Sequence, residues 1–138
     1  VTNSNERFVD REIYVMNADG STPRAFTDNG YDDYHPVWSP DGSSIAILSD
    51  LDSPQIHLVK GEGSTSLQLT NDDDVLKDDL TWSPDGKAIA FAALDEDVNA
   101  QVSHSSPTEI RVMNADGSGV TRLYSDLDGI SNLVWLPD

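Results

Sequence analysis

Three polar residues at equivalent positions are the first candidates for chemistry in this sequence. His35, Asp79 and Asn132 each lie three residues before one of the chain's three tryptophans. Imidazole, carboxylate and amide groups are ligands that cations accept from proteins, so these side chains could hold a metal ion. They could equally hydrogen-bond to backbone groups and to ordered water. No serine or cysteine is spaced from His35 as a nucleophile would be, so the sequence does not predict a catalytic role for it.

A second candidate is an acidic stretch in the last third of the chain. Asp95, Asp97 and Asn99 are spaced like the first three ligands of a calcium-binding loop. Such a loop then needs a glycine for its sharp turn and a final bidentate glutamate, but Ala100 and Ser106 occupy those two positions. The sequence therefore leaves two interpretations, a Ca²⁺ site and a solvated acidic loop.

Signatures of catalysis are missing from the chain. It contains no Gly-x-Ser-x-Gly, no His-Glu-x-x-His and no phosphate-binding glycine loop. It also has no cysteine, which excludes disulfides, thiolate metal sites and cysteine nucleophiles. The sequence thus favours a role that is not enzymatic.

The composition is strongly acidic. The 138 residues include 25 Asp and Glu against 8 Lys and Arg, which gives a net charge of −17. Binding to nucleic acid and docking on anionic lipid both need clustered Lys and Arg, so we expect neither. No apolar run reaches the ~18 residues of a transmembrane helix, and the N-terminus lacks the pattern of a signal peptide. We expect a mature or excised piece that does not insert in a membrane.

The tryptophans reveal an internal repeat. Trp38 and Trp82 both begin the sequence Trp-Ser-Pro-Asp-Gly, and Trp135 begins Trp-Leu-Pro-Asp. A second motif, Ile-x-Val-Met-Asn-Ala-Asp-Gly, occurs at residues 13–20 and again 97 residues later, with a degenerate copy at 56–63. Two motifs that share one spacing indicate a chain built of repeats. We expect the three indole rings to pack between neighbouring repeats.

Each repeat is predicted to form four short strands. Pro-Asp-Gly and Ala-Asp-Gly are turn sequences, apolar runs follow at 45–48 and 88–92, and short fourth strands are predicted at 24–27, 67–70 and 121–124. No segment keeps a 3.6-residue apolar period, so we expect almost no helix. The sequence therefore predicts an all-β fold of about three four-stranded antiparallel β-propeller blades.

The repeats divide a single domain, residues 1–138, into parts of blades. We predict a partial blade at about 1–34, blades at 35–78 and 79–131, and the first strand of a next blade at 132–138. The first strand of each blade faces the central channel of a propeller. The polar residue three positions before each tryptophan would therefore line that channel.

The Pro-x-Trp-Ser-Pro-Asp-Gly and Ile-Tyr-Val-Met-Asn-Ala-Asp-Gly motifs resemble the TolB-type, WD-like β-propeller repeat family over nearly the whole chain. The resemblance implies a non-catalytic scaffold that binds a protein partner in the periplasm, at the cell envelope or outside the cell. It leaves two other roles open. One is the gating propeller of a prolyl-oligopeptidase- or dipeptidyl-peptidase-like hydrolase, and the other is a metal-dependent lyase or lactonase with its centre in the channel.

The chain holds fewer repeats than the family usually needs to close a ring. Family propellers usually have six or more blades, and an open set of three would expose sheet edges and blade faces. Residues 1–10 resemble the end of a second strand, and Asp138 stands at the turn after a first strand. Two explanations follow. Either two copies pair head to tail into a six-bladed ring, or the chain is a fragment of a larger propeller.

Acidic clusters fall in or beside the loops that lead from the outer strand of one blade to the inner strand of the next. They are Asp32-Asp33, residues 71–74 and Asp78-Asp79. These loops emerge on one face of a propeller, so we expect that face to be negative. It would attract a basic partner or cations. The alternative is that the charge serves solubility.

Overall fold

The structure is a computed structural model. It describes ten β-strands and no helix within residues 10–50, 53–61, 63, 65–73, 75–95, 109–125 and 129–136. Those residues accordingly include no helix that is long and apolar enough to cross a membrane.

The strands form three antiparallel sheets. A strand pair consists of β1 (Tyr14–Val15) and β2 (Arg24–Ala25). The first blade consists of β3 (Asp32–Trp38), β4 (Ser44–Asp50), β5 (Pro54–Lys60) and β6 (Thr65–Gln68). The second blade consists of β7 (Val75–Trp82), β8 (Ala88–Asp95), β9 (Glu109–Asn114) and β10 (Thr121–Tyr124). Each blade pairs its strands in chain order, as propeller blades do. The predicted all-β fold of propeller blades is confirmed.

The blades are covered on both faces, as β4 illustrates. Residues 44–49 are all buried, and side chains alternate between the two faces along a strand. Ile45 and Ile47 join the apolar cluster against the strand pair. Ala46 and Leu48 join the larger cluster against the second blade. Burial on both faces explains why this strand is a continuous apolar run rather than an alternating one.

The Pro-Asp-Gly segments form turns between the first and second strands of each blade. Gly42 and Gly86 both have a φ of +70°, which glycine adopts without steric cost. In the first blade, Oδ1 of Asp41 accepts hydrogen bonds from Oγ of Ser39 at 2.6 Å and from the backbone N–H of Ser43 at 3.0 Å. The aspartate of this motif therefore serves the turn.

The tryptophans mark the joints between blades, and the joints differ. Trp82 is 8% exposed, and its Nε1 donates to the carbonyl oxygen of Val37 in the first blade at 3.1 Å. Trp135 makes the equivalent bond to the carbonyl oxygen of Thr81 at 3.3 Å. Trp38 is 53% exposed, because the described part of the chain contains no inner strand that precedes it.

Candidate functional site

The structure places His35, Asp79 and Asn132 at the same point of three successive inner segments. Their φ angles are +50°, +45° and +58°. Left-handed backbone is unfavourable for most residues, and Asn, Asp and His are enriched in it. In both complete blades the strand pairing shifts register at this point. The polar residue type therefore serves the backbone conformation, a reason that spacing in the sequence did not reveal.

One groove between the inner segments, of about 420 Å³, is lined by all three of these residues. Its other lining residues are Pro36, Val37, Asp78, Leu80 and Ser131. The residues that the sequence placed along the channel are therefore neighbours in space. We call this cavity the inner groove.

Two contacts in the inner groove join adjacent blades or segments. Oδ2 of Asp79 accepts a hydrogen bond from the backbone N–H of Leu133 at 2.6 Å. Nδ1 of His35 lies 3.2 Å from Oδ1 of Asp78, and about half of each of these two side chains is exposed. Both carboxylates thus have partners within the protein. The groove consequently presents fewer available oxygens than its residue types suggest.

Metal ligation finds limited support in the described residues, which exclude 96–108. Among them, no group of three His, Cys, Asp or Glu side chains is arranged to hold a metal ion. Asp97 and Asn99 of the predicted calcium segment lie outside the described residues, and Asp95 is the last residue of β8. A Ca²⁺ site in that segment stays a prediction.

A neighbouring groove, also of about 420 Å³, is lined by Arg11 and Tyr34, and neither residue belongs to a motif of the sequence. Arg11 donates to Oδ2 of Asp32 through Nε at 3.2 Å and Nη2 at 3.0 Å. The guanidinium carbon of Arg11 lies 4.9 Å from the ring centroid of Tyr34. Burial, together with nearby carboxylates, raises the pKa of Tyr34 to about 12. No pattern of neighbouring residues predicts this cluster of Arg11, Asp32 and Tyr34, because Arg11 contacts Asp32 only when the strand pair packs on the first blade.

The loops between blades present less charge to solvent than their sequence predicts. Asp33 is 2% exposed, and its Oδ2 accepts a hydrogen bond from a side chain of its own loop. Oδ1 of Asp72 lies 2.9 Å from Nζ of Lys77, whose side chain is fully buried. Asp28 and Asp73 are exposed. The negative charge available to a partner is thus concentrated at such exposed loop positions.

The chain was compared with known proteins and solved structures, and no family model matches it. It is 30% identical over 121 residues to an uncharacterized peptidase, YuxL, of Bacillus subtilis, and the match includes 80% of this chain and 18% of that protein. A putative TolB from Agrobacterium tumefaciens has a TM-score of 0.68 at 25% identity, over 82% of this chain and 40% of that one. TolB from Acinetobacter baumannii has a TM-score of 0.65 at 26% identity, over 86% and 27% of the two chains.

An oligogalacturonate lyase in complex with manganese has a TM-score of 0.63 at 23% identity, over 86% of this chain and 30% of the lyase. That likeness shows the fold alone. In each comparison the chain spans less than half of the other protein. The two TolB structures match the described blades over most of the chain, and the tryptophan and Ala-Asp-Gly motifs recur at the same period. The chain is built of β-propeller blades that are similar to those of the two TolB structures.

Proposed function

We propose that the chain is a non-catalytic β-propeller scaffold that binds a protein partner. The observation that carries this proposal is the use of the polar groups in the inner groove. Asp79 accepts the N–H of Leu133, and Asp78 faces His35 across adjacent blades. A general acid or base must reach the substrate, whereas the Asp79 carboxylate binds the backbone of the next segment and stabilises the frame. The likeness to TolB supports the same role and a location in the periplasm or at the cell envelope.

The partner that we propose is a basic protein segment, docked on the face formed by the loops between blades. The chain carries a net charge of −17, and Asp28 and Asp73 are exposed in two of these loops. Complementary charge accelerates association and fixes orientation, and its effect weakens as salt screens the charges. Binding should therefore be strongest at low ionic strength.

A short lysine-rich peptide is the probe for this face. The double variant Asp28→Asn, Asp73→Asn should weaken binding of the peptide severalfold at low salt, as measured by fluorescence anisotropy. The matched control is Asp19→Asn, Asp116→Asn, which removes the same charge from turns at the opposite ends of the strands. Equal weakening by both variants would show that only net charge matters. Binding that does not respond to salt would contradict the docking proposal.

The match to a peptidase favours a second candidate. In this alternative the chain is the propeller portion of a prolyl-oligopeptidase- or dipeptidyl-peptidase-like hydrolase and gates access to a catalytic domain. The gene sequence adjoining this chain tests it. An α/β-hydrolase segment with a Gly-x-Ser-x-Gly nucleophile turn would support gating. Deleting the propeller from that polypeptide should then allow cleavage of larger substrates, and unchanged size selectivity would contradict gating.

A further inference from the structure

A small polar pocket lies beside the first blade, at the face formed by the loops between blades. It has a volume of about 220 Å³, and its lining includes Ser49, Gln55 and His57 from the strands of this blade. Tyr31 lines it from the loop before β3, and Asp73 lines it from the loop after β6. We call this cavity the loop pocket. It is built from one complete blade and the two loops that flank it.

Most polar groups around the loop pocket hydrogen-bond to one another. Nε2 of Gln55 donates to Oγ of Ser53 at 3.0 Å and to Oδ1 of Asp73 at 3.1 Å. Oε1 of the same glutamine accepts a hydrogen bond from Oγ1 of Thr70 at 2.7 Å. These bonds fix the walls before a ligand binds, which lowers the entropy cost of binding.

Two buried oxygens beside the pocket do not join that network. Ser49 is 4% exposed, and Asp33, with which it pairs across β3 and β4, is 2% exposed. Oγ of Ser49 and Oδ1 of Asp33 have no hydrogen-bond partner in the described part of the chain. Buried polar atoms in folded proteins are nearly always satisfied, so an unsatisfied one calls for an explanation. A ligand that donates hydrogen bonds in the pocket is such an explanation.

The size of the loop pocket restricts what can enter it. Its volume of about 220 Å³ is far above the ~15 Å³ that one water needs. It is also below the ~300 Å³ at which pockets begin to take drug-sized ligands. The end of a single side chain therefore fits. The ring of Tyr31 on the wall suits a long charged side chain, whose methylene stem packs on apolar surface.

The charge around the pocket favours a cation. Asp73 lines the pocket and Asp33 lies beside it, whereas the described lining residues include no lysine or arginine. Burial lowers the pKa of His57 below its ordinary 6.5, although the charge of Asp33 opposes this change, so the imidazole is neutral at pH 7. Among the described residues, no three His, Asp or Glu side chains are arranged to hold a metal ion. An amine therefore matches the pocket better than a metal does.

We propose that the loop pocket binds the ammonium group of a lysine side chain from the partner. The ammonium donates to Oγ of Ser49 and to the carboxylate of Asp73, and the negative charge of Asp33 stabilises it. This inference rests on the proposed docking of a basic segment and specifies where one lysine of that segment is held. The pocket requires N–H donors on the lysine, whereas attraction by net charge requires only a positive charge.

Trimethylation of lysine separates these two requirements, because it keeps the positive charge and removes all three N–H donors. The probes are a short lysine-rich peptide and the same peptide with every lysine trimethylated, both titrated by fluorescence anisotropy. The wild-type protein should bind the unmodified peptide about tenfold more tightly, because hydrogen bonds from charged donors are the stronger ones. Ser49→Ala removes one acceptor and should reduce that preference to about threefold or less.

Matched variants separate the pocket from the rest of the surface. Ser43→Ala removes an exposed hydroxyl at the opposite end of β4 and should keep the tenfold preference. Asp28→Asn removes an exposed loop charge outside the pocket, so it should weaken both peptides alike. Asp33→Asn should weaken the unmodified peptide more than the trimethylated one. Should circular dichroism show that Asp33→Asn is unfolded, Ser49→Ala still decides the result.

The outcomes distinguish the pocket from the docking surface. Equal affinity of the wild-type protein for the two peptides overturns the pocket and leaves docking by net charge intact. Failure of both peptides to bind overturns the docking proposal and the pocket with it. A preference that Ser49→Ala does not change overturns the pocket as well. Thermal stabilisation by millimolar CaCl₂ that Ser49→Ala abolishes would assign the pocket to a metal ion instead.

Discussion

The two complete blades are built from the same motif residues, yet they fasten the incoming loop with opposite charges. Five residues before each tryptophan stand Asp33 in the first blade and Lys77 in the second, and both are buried. Asp33 accepts a hydrogen bond from Nδ2 of Asn29 at 2.9 Å. Lys77 donates to the carbonyl oxygens of Asp72 and Val75, each at 2.7 Å. The position requires a buried group that can hold the loop, and the sign of its charge is secondary.

The residue that pairs with this position on the second strand of the blade differs as well. Asp33 pairs with Ser49 in register, whereas Lys77 pairs with Ala93. Oδ1 of Asp33 and Oγ of Ser49 are buried without a hydrogen-bond partner in the described structure, and a buried polar group in that state lowers stability. The Lys77 and Ala93 pair has no such atom. At this paired position, which lies outside the repeat motif, the first blade is therefore the less well satisfied of the two.

The largest difference between the blades is expected at their tryptophans. Trp82→Ala removes a buried ring and its bond to Val37, so it should cost about 3–5 kcal/mol of unfolding free energy. Trp38→Ala removes a half-exposed ring and should cost about 1 kcal/mol or less. Urea unfolding of the two variants measures both losses. Equal losses of unfolding free energy would contradict the conclusion that Trp82 is packed more fully than Trp38.

Lys77 gives the next largest effect. Lys77→Met leaves the carbonyl oxygens of Asp72 and Val75 without their donor, which should cost about 1–3 kcal/mol. The control Lys87→Met changes a side chain that is 83% exposed and should cost less than about 0.5 kcal/mol. Similar costs for the two lysines in urea unfolding would show that Lys77 does not hold the loop.

The pH dependence of this effect has a definite sign. Burial lowers the pKa of Lys77 from its ordinary value of 10.5. Between the lowered pKa and 10.5 the unfolded chain binds more protons than the folded chain, so the free energy of unfolding rises as pH rises through that window. The Lys77→Met protein should lack this rise. A wild-type curve that runs parallel to the variant's in alkaline buffer would contradict it.

The buried hydroxyl of Ser49, which the second blade replaces with Ala93, predicts a smaller effect in the first blade. Ser49→Ala removes a buried hydroxyl that has no partner, so stability should stay the same or rise by up to about 1 kcal/mol. Ala93→Ser inserts such a hydroxyl at the equivalent place in the second blade and should lower stability by about 1–3 kcal/mol. Thermal unfolding of the two proteins measures both. A clear loss from Ser49→Ala would mean that a buried water satisfies the hydroxyl.

The blades could be predicted from the sequence because their signals are local. The turn at Gly42 and the apolar run of β4 each depend on a few adjacent residues, and both occur where the sequence places them. The fourth strand of the first blade was predicted at residues 67–70 and is found at Thr65–Gln68. The shift reflects the weak signal of a short, exposed strand.

The candidate site was harder to predict because its character depends on contacts between blades. His35 and Asp79 were identified by spacing, but the spacing did not show that left-handed backbone explains their residue types. The contact of Asp79 with the N–H of Leu133 spans 54 residues of sequence. The exposure of Trp38 depends on which blade lies beside it. None of these properties is encoded in a local pattern.

The smallest predicted effect concerns the Pro-Asp-Gly turns, a feature that the two blades share. In the Pro-Asp-Gly turns, Ser39 donates to Asp41 at 2.6 Å and Ser83 donates to Asp85 at 2.7 Å. These bonds are the main cause that lowers the pKa of each aspartate below 3.8. A lowered pKa in the folded state contributes stability above pH 3.8 that is lost as pH falls through the folded-state pKa. Titration of the carboxyl carbons by NMR should show both groups below 3.8, and Ser39→Ala should raise the pKa of Asp41 while leaving Asp85 unchanged. A change in the pKa of both aspartates would mean that the two turns are coupled across the joint. An unchanged pKa of both would show that the hydrogen bond from Ser39 does not lower the pKa of Asp41.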